Sequence, residues 1–169
     1  MSSNNYEYIC PNHRLIRNLG GNGTMVTIQY SGVKLVSIRR FHWVKGERRP
    51  SKGISLTVQQ WLNLKKNMDA IEKAYHERSA YSESDPDDEI VVCDLGSSKD
   101  GHKMVCVKSW KKQIRIDIRE CYFEDGIRKN GRKGISLPMK RWIKLRSCIR
   151  QIDNAVDKEL RKLRKLQKH

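Results

Sequence analysis

Two stretches of the chain alternate hydrophobic with polar residues, and each runs into a stretch whose apolar residues recur at helical spacing. Residues 25–30 and 33–39, then 104–110 and 114–122, are rich in Val, Ile and aromatics and are separated by short polar turns, which predicts paired hairpin strands. Ile114, Ile116 and Ile118 alternate with Arg115, Asp117 and Arg119, so the isoleucines face a core and the charges face water. Gly46 and Gly126 mark turns, and Lys52–Leu56 and Lys133–Leu137 suit a fourth short strand after an intervening third. Each sheet is therefore expected to be a four-stranded antiparallel meander. Beyond it the period changes: Trp61, Leu64, Met68, Ile71 and Tyr75 are spaced by three and four, as are Trp142, Leu145, Ile149, Ile152 and Val156. Both read as one long amphipathic helix, the second starting at Pro138 and running on through Leu160, Leu163 and Leu166.

The two halves are copies of one another. Lys52-Gly53-Ile54-Ser55-Leu56 with Trp61 repeats as Lys133-Gly134-Ile135-Ser136-Leu137 with Trp142 at an offset of 81. Val36-Ser37-Ile38-Arg39 answers Ile116-Asp117-Ile118-Arg119 at 80, and Met25-Val26-Thr27-Ile28 answers Met104-Val105-Cys106-Val107 at 79, so single residues have been gained or lost in turns. The organisation expected is an amino-terminal segment (1–22) with a candidate edge strand at Arg14–Leu19, a first repeat (23–78), a linker (79–89), and a second repeat with a basic helical tail (90–169). One sheet and one helix make a small core. Pairing the two units through Trp61, Leu64, Met68 and Ile71 on one helix and Trp142, Leu145, Ile149 and Ile152 on the other would cover both stripes. The fold class is α+β, an intramolecular pseudo-dimer.

Charge then narrows the partners. Of 169 residues, 35 are Lys or Arg and 19 Asp or Glu, a net charge of +16. Residues 79–102 hold seven acids and one Lys, so the remainder carries +22. The acidic stretch reads as a solvated connection or as an arm that occupies the basic surface, with Ile90–Leu95 a candidate extra strand. No run approaches the ~20 apolar residues of a membrane span, and Met1–Asn5 lacks a signal-peptide pattern, so a soluble intracellular protein without a membrane partner is expected. Five cysteines, Cys10, Cys93, Cys106, Cys121 and Cys148, without a C-x-x-C spacing fit free thiols, and the Asn22-Gly23-Thr24 sequon then goes unused.

No catalytic residue, cofactor or metal is expected. His13, His42, His76, His102 and His169 pair with no Cys or carboxylate at ligand spacing, and Gly20-Gly21-Asn22-Gly23 lacks the Lys-Ser/Thr of a phosphate loop. Asp117 and Glu120 fall on opposite strand faces. The stronger pattern mixes cations with rings: Lys108 and Trp110 share a strand face, Lys111 and Lys112 follow in the turn, Arg115 and Arg119 project from the next strand, and Tyr122 lies just beyond. Cations track phosphates and exposed rings stack on unpaired bases, which fits a single nucleic-acid strand. The competing reading makes Trp110 and Tyr122 core aromatics.

At Arg119-Glu120-Cys121-Tyr122, Lys129-Asn130-Gly131-Arg132-Lys133-Gly134-Ile135-Ser136-Leu137 and Ile152-Asp153-Asn154-Ala155-Val156, the chain resembles the positive cofactor four family of RNA polymerase II transcriptional coactivators. The resemblance covers Lys103 to Leu160 and, more weakly, Met25 to Tyr75. It implies curved sheets dimerised through helices, with saddle faces that bind single-stranded DNA, in a non-enzymatic nuclear coactivator that contacts general transcription factors. Carried over by position, the stacking rings fall at Trp110 and Tyr122 and the phosphate contacts at Lys108, Lys111, Arg119, Lys129 and Lys133. In the first copy Arg39, Arg49 and Lys52 match, Gln29 stands where a base is expected, Leu35 answers Arg115, and His42 stands opposite Tyr122. Either Tyr30 or Ser31 takes the place of Trp110, according to where the one-residue deletion lies. A fused pair implies a monomer with pseudo-two-fold symmetry. An RNA-binding protein using the same faces, and a protein-interaction adaptor recruiting partners through Arg161–Leu166 and the acidic linker, are the alternatives.

Overall fold

A computed structural model describes residues 8–21, 23–80, 89–98 and 101–168. Met1–Asn5, Asn22 and residues 81–88 of the acidic segment lie outside the described residues. Along the chain, strands β1 (Tyr8–Cys10), β2 (His13–Gly20), β3 (Thr24–Ser31), β4 (Val33–Val44) and β5 (Glu47–Leu56) precede helices α1 (Val58–Lys66) and α2 (Met68–Ala80). Strands β6 (Glu89–Ser98), β7 (Gly101–Trp110), β8 (Gln113–Glu124) and β9 (Ile127–Leu137) follow, then helices α3 (Met139–Ser147), α4 (Ile149–Ala155) and α5 (Asp157–Gln167). Two antiparallel sheets result, ordered β1-β2-β3-β4-β5 and β6-β7-β8-β9, so the protein is α+β.

The chain divides into two compact units that are not its two sequence copies. The first joins the residues up to Gln59 with those from Lys144 onward; the second is Gln60–Ile143. In the first, Val26, Ile28, Val36, Ile38, Ile54 and Leu56 alternate with polar neighbours and are buried, as are Ile152 of α4, Leu160 of α5 and Val156 between them. Lys34 ties strand to helix, donating from Nζ to Ala155 O at 2.9 Å and lying 3.9 Å from Glu159. The sheet curls until β1 lies near β5. A small second core of Cys10, Met25 and Phe41, with Ile9 and Leu15 against it, fills the curl.

In the second unit, Val105, Val107, Ile116, Ile118 and Leu137 form the buried face, and α2 packs on β6, β7 and β8. Gln60 Nε2 donates to Gly96 O and Asn63 Nδ2 to Leu95 O, each at 3.0 Å, and Gln60 Oε1 accepts from the buried Lys103 Nζ at 3.0 Å. Trp142 Nε1 reaches Glu72 Oε1 at 3.0 Å. The helices that follow the first sheet thus belong with the second sheet, and α4 and α5 belong with the first.

Several expectations need correction. The first sheet has five strands, because residues 8–20 supply two; the segment Arg14–Leu19 is β2, and β1 is the edge. No separate third strand precedes Lys52 or Lys133. β5 and β9 run unbroken from their turns, because bulges opposite Arg39/Phe41 and Arg119/Cys121 bend the ladder without ending it. The predicted extra strand at Ile90 is β6, which restores the count of four in the second sheet. Gly46 and Gly126 are turns, each preceded by a second left-handed residue, Lys45 (φ 50°) and Asp125 (φ 52°), the geometry that matches strand twist in a two-residue hairpin.

Neither helix is continuous. Asn67 N–H bonds to Leu64 O and Cys148 N–H to Leu145 O, each at 3.1 Å, and these three-residue steps break the helices at positions 81 apart in the two copies. A further break falls at Val156. The tightened step rotates the stripe, so Cys148 and Ala74 are buried where Ile149 and Tyr75 were expected, and those two are half-buried.

Candidate nucleic-acid interface

On the outer face of β7 and β8, register pairs Lys108 with Arg115, Cys106 with Asp117, Met104 with Arg119 and Trp110 with Gln113. Trp110 is 54% exposed, with Lys111 Nζ 4.4 Å and the Arg115 guanidinium 5.4 Å from its ring centroid. Both cations lie within cation–π range of an indole that is itself exposed. Asp117 is buried beneath this face and draws Lys108 to 3.5 Å and Arg119 to 2.9 Å. Arg119 also donates to Gly131 O and Arg132 O at 3.2 Å, which lays it flat across β9. The repeated glycine makes room for it: a Cβ on Gly134 would lie 2.8 Å from the Arg119 guanidinium carbon, and one on Gly53 would lie 1.9 Å from Arg39 Cβ.

The turn beside Trp110 is built from lysines where glycine or asparagine would be easier. Lys111 (φ 49°) and Lys112 (φ 62°) are both left-handed, a conformation costing about 1–2 kcal/mol for an ordinary residue. Replacing the pair by Asn-Gly should raise thermal stability by about 1–2 kcal/mol while weakening polyanion binding, which melting curves and titrations at fixed salt would read together. A gain in stability with unchanged binding would remove the turn from the interface.

Two further cations of this sheet, Lys129 and Lys133, are exposed at its far end. Both lie on β9, and Tyr122, 53% exposed, pairs with Lys129. Tyr122 has the strand parity of Ile116 and Ile118, opposite to the partners of Trp110, in the part of β8 that outruns β7. The two rings are not brought together: Gln113, opposite Trp110, and Tyr122 are nine residues apart on β8, about 30 Å at 3.3 Å per residue.

The first sheet carries a different set. Gln29, Ser37 and Ser55 stand where the second has Lys108, Asp117 and Ser136, and they surround Arg39 with neutral partners: Arg39 donates to Ser37 Oγ at 2.6 Å and Ser55 Oγ at 2.5 Å, and Ser55 to Gln29 Oε1 at 2.6 Å. Pairing runs without a break from Thr24↔Arg40 to Ser31↔Val33, so the missing residue is in the turn, Gly32 alone against Lys111-Lys112. Ser31 therefore takes the place of Trp110. Tyr30 falls on the opposite face with Val26 and Ile28, between Arg14 (5.7 Å) and Lys34 (6.0 Å). His42, Arg49 and Lys52 are exposed along the β4–β5 hairpin. The sequence reading missed Trp43, 66% exposed with Arg48 5.1 Å from its ring, and Phe123, 59% exposed. Their signal was a second aromatic after the matched His42 and Tyr122 positions.

Elsewhere burial holds groups neutral. It raises the Cys93, Cys106 and Cys148 thiols to about 11, and none of the cysteines is in a disulfide. His13, bonded to Thr27 Oγ1 at 2.8 Å, is lowered to about 4 by burial and then by the Arg39 charge. Among the described residues no group of three His, Cys, Asp or Glu could hold a metal ion, and no helix is long and apolar enough to cross a membrane.

Fold and surface together define an α+β protein of two antiparallel sheets, each carrying cations and exposed rings. The model of the transcriptional coactivator p15 (PC4) matches residues 18–67 and 97–148, and the chain belongs to that family, in tandem. It is 40% identical over 74 residues to the RNA polymerase II transcriptional coactivator KIWI of Arabidopsis thaliana, covering 44% of this chain and 65% of that protein. It is 57% identical over 51 residues to the coactivator KELP of the same organism, covering 29% of this chain and 31% of that protein. The chain thus spans less than two thirds of either relative. No solved structure matches significantly.

Proposed function

We propose that this protein is a non-enzymatic transcriptional coactivator of RNA polymerase II that works in the nucleus and holds single-stranded DNA on its sheet faces. The observation that carries the reading is Trp110, exposed between Lys111 and Arg115 on the face that also bears Lys108 and Arg119. Rings stack on bases that a duplex hides, and cations beside them follow the backbone. Tyr122, Lys129 and Lys133 offer a separate set of contacts at the far end of β8 and β9, and Arg39, Arg49 and Lys52 give the first sheet a less complete set. Family membership and the names of the relatives support coactivation; general transcription factors are the protein partners that this reading implies.

The repeats at 23–78 and 90–169, joined through 79–89, act in this reading as a monomeric pseudo-dimer. The buried stripe residues Trp61, Leu64, Met68, Ile71, Trp142, Leu145 and Ile152, with half-buried Ile149, are its repeat–repeat contacts. Size measurement should return one chain mass.

The test is fluorescence anisotropy with a labelled ~20-nucleotide strand and its duplex across a salt series. The single strand is expected to bind more tightly, with affinity falling as salt rises, and Trp110→Ala to weaken it by roughly 5- to 100-fold. Equal binding of the duplex and a silent variant would overturn the reading, and an RNA strand that outcompetes DNA of the same sequence would reassign the substrate.

A further inference from the structure

The β4–β5 hairpin of the first unit has a second feature, beside strand β1. Where β1 curls round to meet β5, a cleft of about 490 Å³ opens, walled by Tyr8 and Pro11 on one side and by Trp43 and Arg48 on the other. Both rings are about two-thirds exposed, Tyr8 at 65% and Trp43 at 66%. Large rings left in water across a shared cleft mark a surface built for contact. Arg48 lies 5.1 Å from the Trp43 centroid. From Arg39 to Lys52 the chain carries six basic residues and one acid; that acid, Glu47, also lines the cleft, with Arg49 4.0 Å from its carboxylate, so the surroundings of the cleft are net positive.

We propose that this cleft is a slot for an unpaired base, with Trp43 as the stacking ring, Tyr8 as the opposite wall and Arg48 toward the adjoining phosphate. The inference rests on the single-strand reading above and adds to it a site the first sheet otherwise lacks, since Ser31 stands where the second sheet has Trp110. Trp43 has the strand parity of Arg39, which puts slot and cation on one side of β4. Tyr8 and Pro11 precede residue 18, where the family match begins, so this wall lies outside the matched residues. In the second unit the corresponding ring, Phe123, instead meets the edge of His102 at 6.0 Å, and no fifth strand faces it among the described residues.

Tryptophan emission from the full chain tests the slot directly. Trp61 and Trp142 are fully buried, so Trp110→Phe leaves Trp43 as the exposed indole of the four. A saturating 20-nucleotide strand should quench that emission and shield it from iodide. Trp43→Ala and Tyr8→Ala should each weaken strand binding, the first by about tenfold, with melting temperatures unchanged because both rings are exposed. Phe123→Ala should cost less than twofold. No quenching in Trp110→Phe, or equal losses from Phe123→Ala and Trp43→Ala, would overturn the slot. Loss of strand preference in Trp110→Ala with silent Trp43→Ala would leave the single-strand reading standing and remove only the slot; parallel DNA and RNA strands identify which sugar the slot accepts.

Discussion

A chain ending at Ser147 should lose the first sheet and keep the second. Sequence order alone would have the last helices close the sheet beside them, β6–β9. The compact units instead group α4 and α5 with β1–β5, and the bond from Lys34 to Ala155 O anchors that grouping. Removing Ile152, Val156 and Leu160, all buried, forfeits about 1.5–3 kcal/mol each. The sum rivals the whole stability of a typical domain. Amide exchange in the truncated chain should accelerate through β3, β4 and β5, while β7 and β8, covered by α2, keep their protection. Deprotection of β7–β9 first would mean that each helix closes its own sheet.

The first unit should also weaken in mild acid, through one side chain. His13 sits between Thr27 and the edge of Phe41, and burial followed by the Arg39 charge lowers it from 6.5 to about 4. Because the unfolded chain takes the proton near 6.5 and the folded chain only near 4, the stabilising effect of the neutral ring is complete above 6.5. It is lost progressively as pH falls from there through 4, by about 3 kcal/mol in all. His13→Gln, which can still bond Thr27, should flatten this part of the pH–stability curve. Denaturant midpoints at pH 7, 5.5 and 4.5 check it; an unchanged slope would mean that His13 takes up its proton at the same pH in the folded and the unfolded chain.

Much of this architecture is legible in the residues. Alternation marked the hairpins, and the repeated Lys-Gly-Ile-Ser-Leu, whose glycine lets an arginine lie across the strand, aligned the copies. The apolar spacing located both helices. It could not say which sheet each helix covers, since a stripe of Trp, Leu and Ile fits either apolar face equally well. The breaks at Asn67 and Cys148 carry no Pro or Gly to announce them. Asp117 read as a solvated charge, because its burial depends on Lys108 and Arg119 arriving from two different places in the chain. Trp43 was passed over because alignment of the copies drew attention to His42, and its significance depends on Tyr8, which belongs to no repeat.

The crossing of helices between sheets also governs how the chain can be made. Synthesis at roughly 5–20 residues per second leaves β1–β5 waiting several seconds or more for α4 and α5 to emerge. Throughout that interval Val26, Ile28, Val36 and Ile38 lack their mature cover, and β5 offers an unpaired edge. The second sheet, whose helices α1 and α2 are already out, is free to form first. Folding from the middle of the chain outward is therefore expected, with the amino-terminal half the part most exposed to aggregation during synthesis.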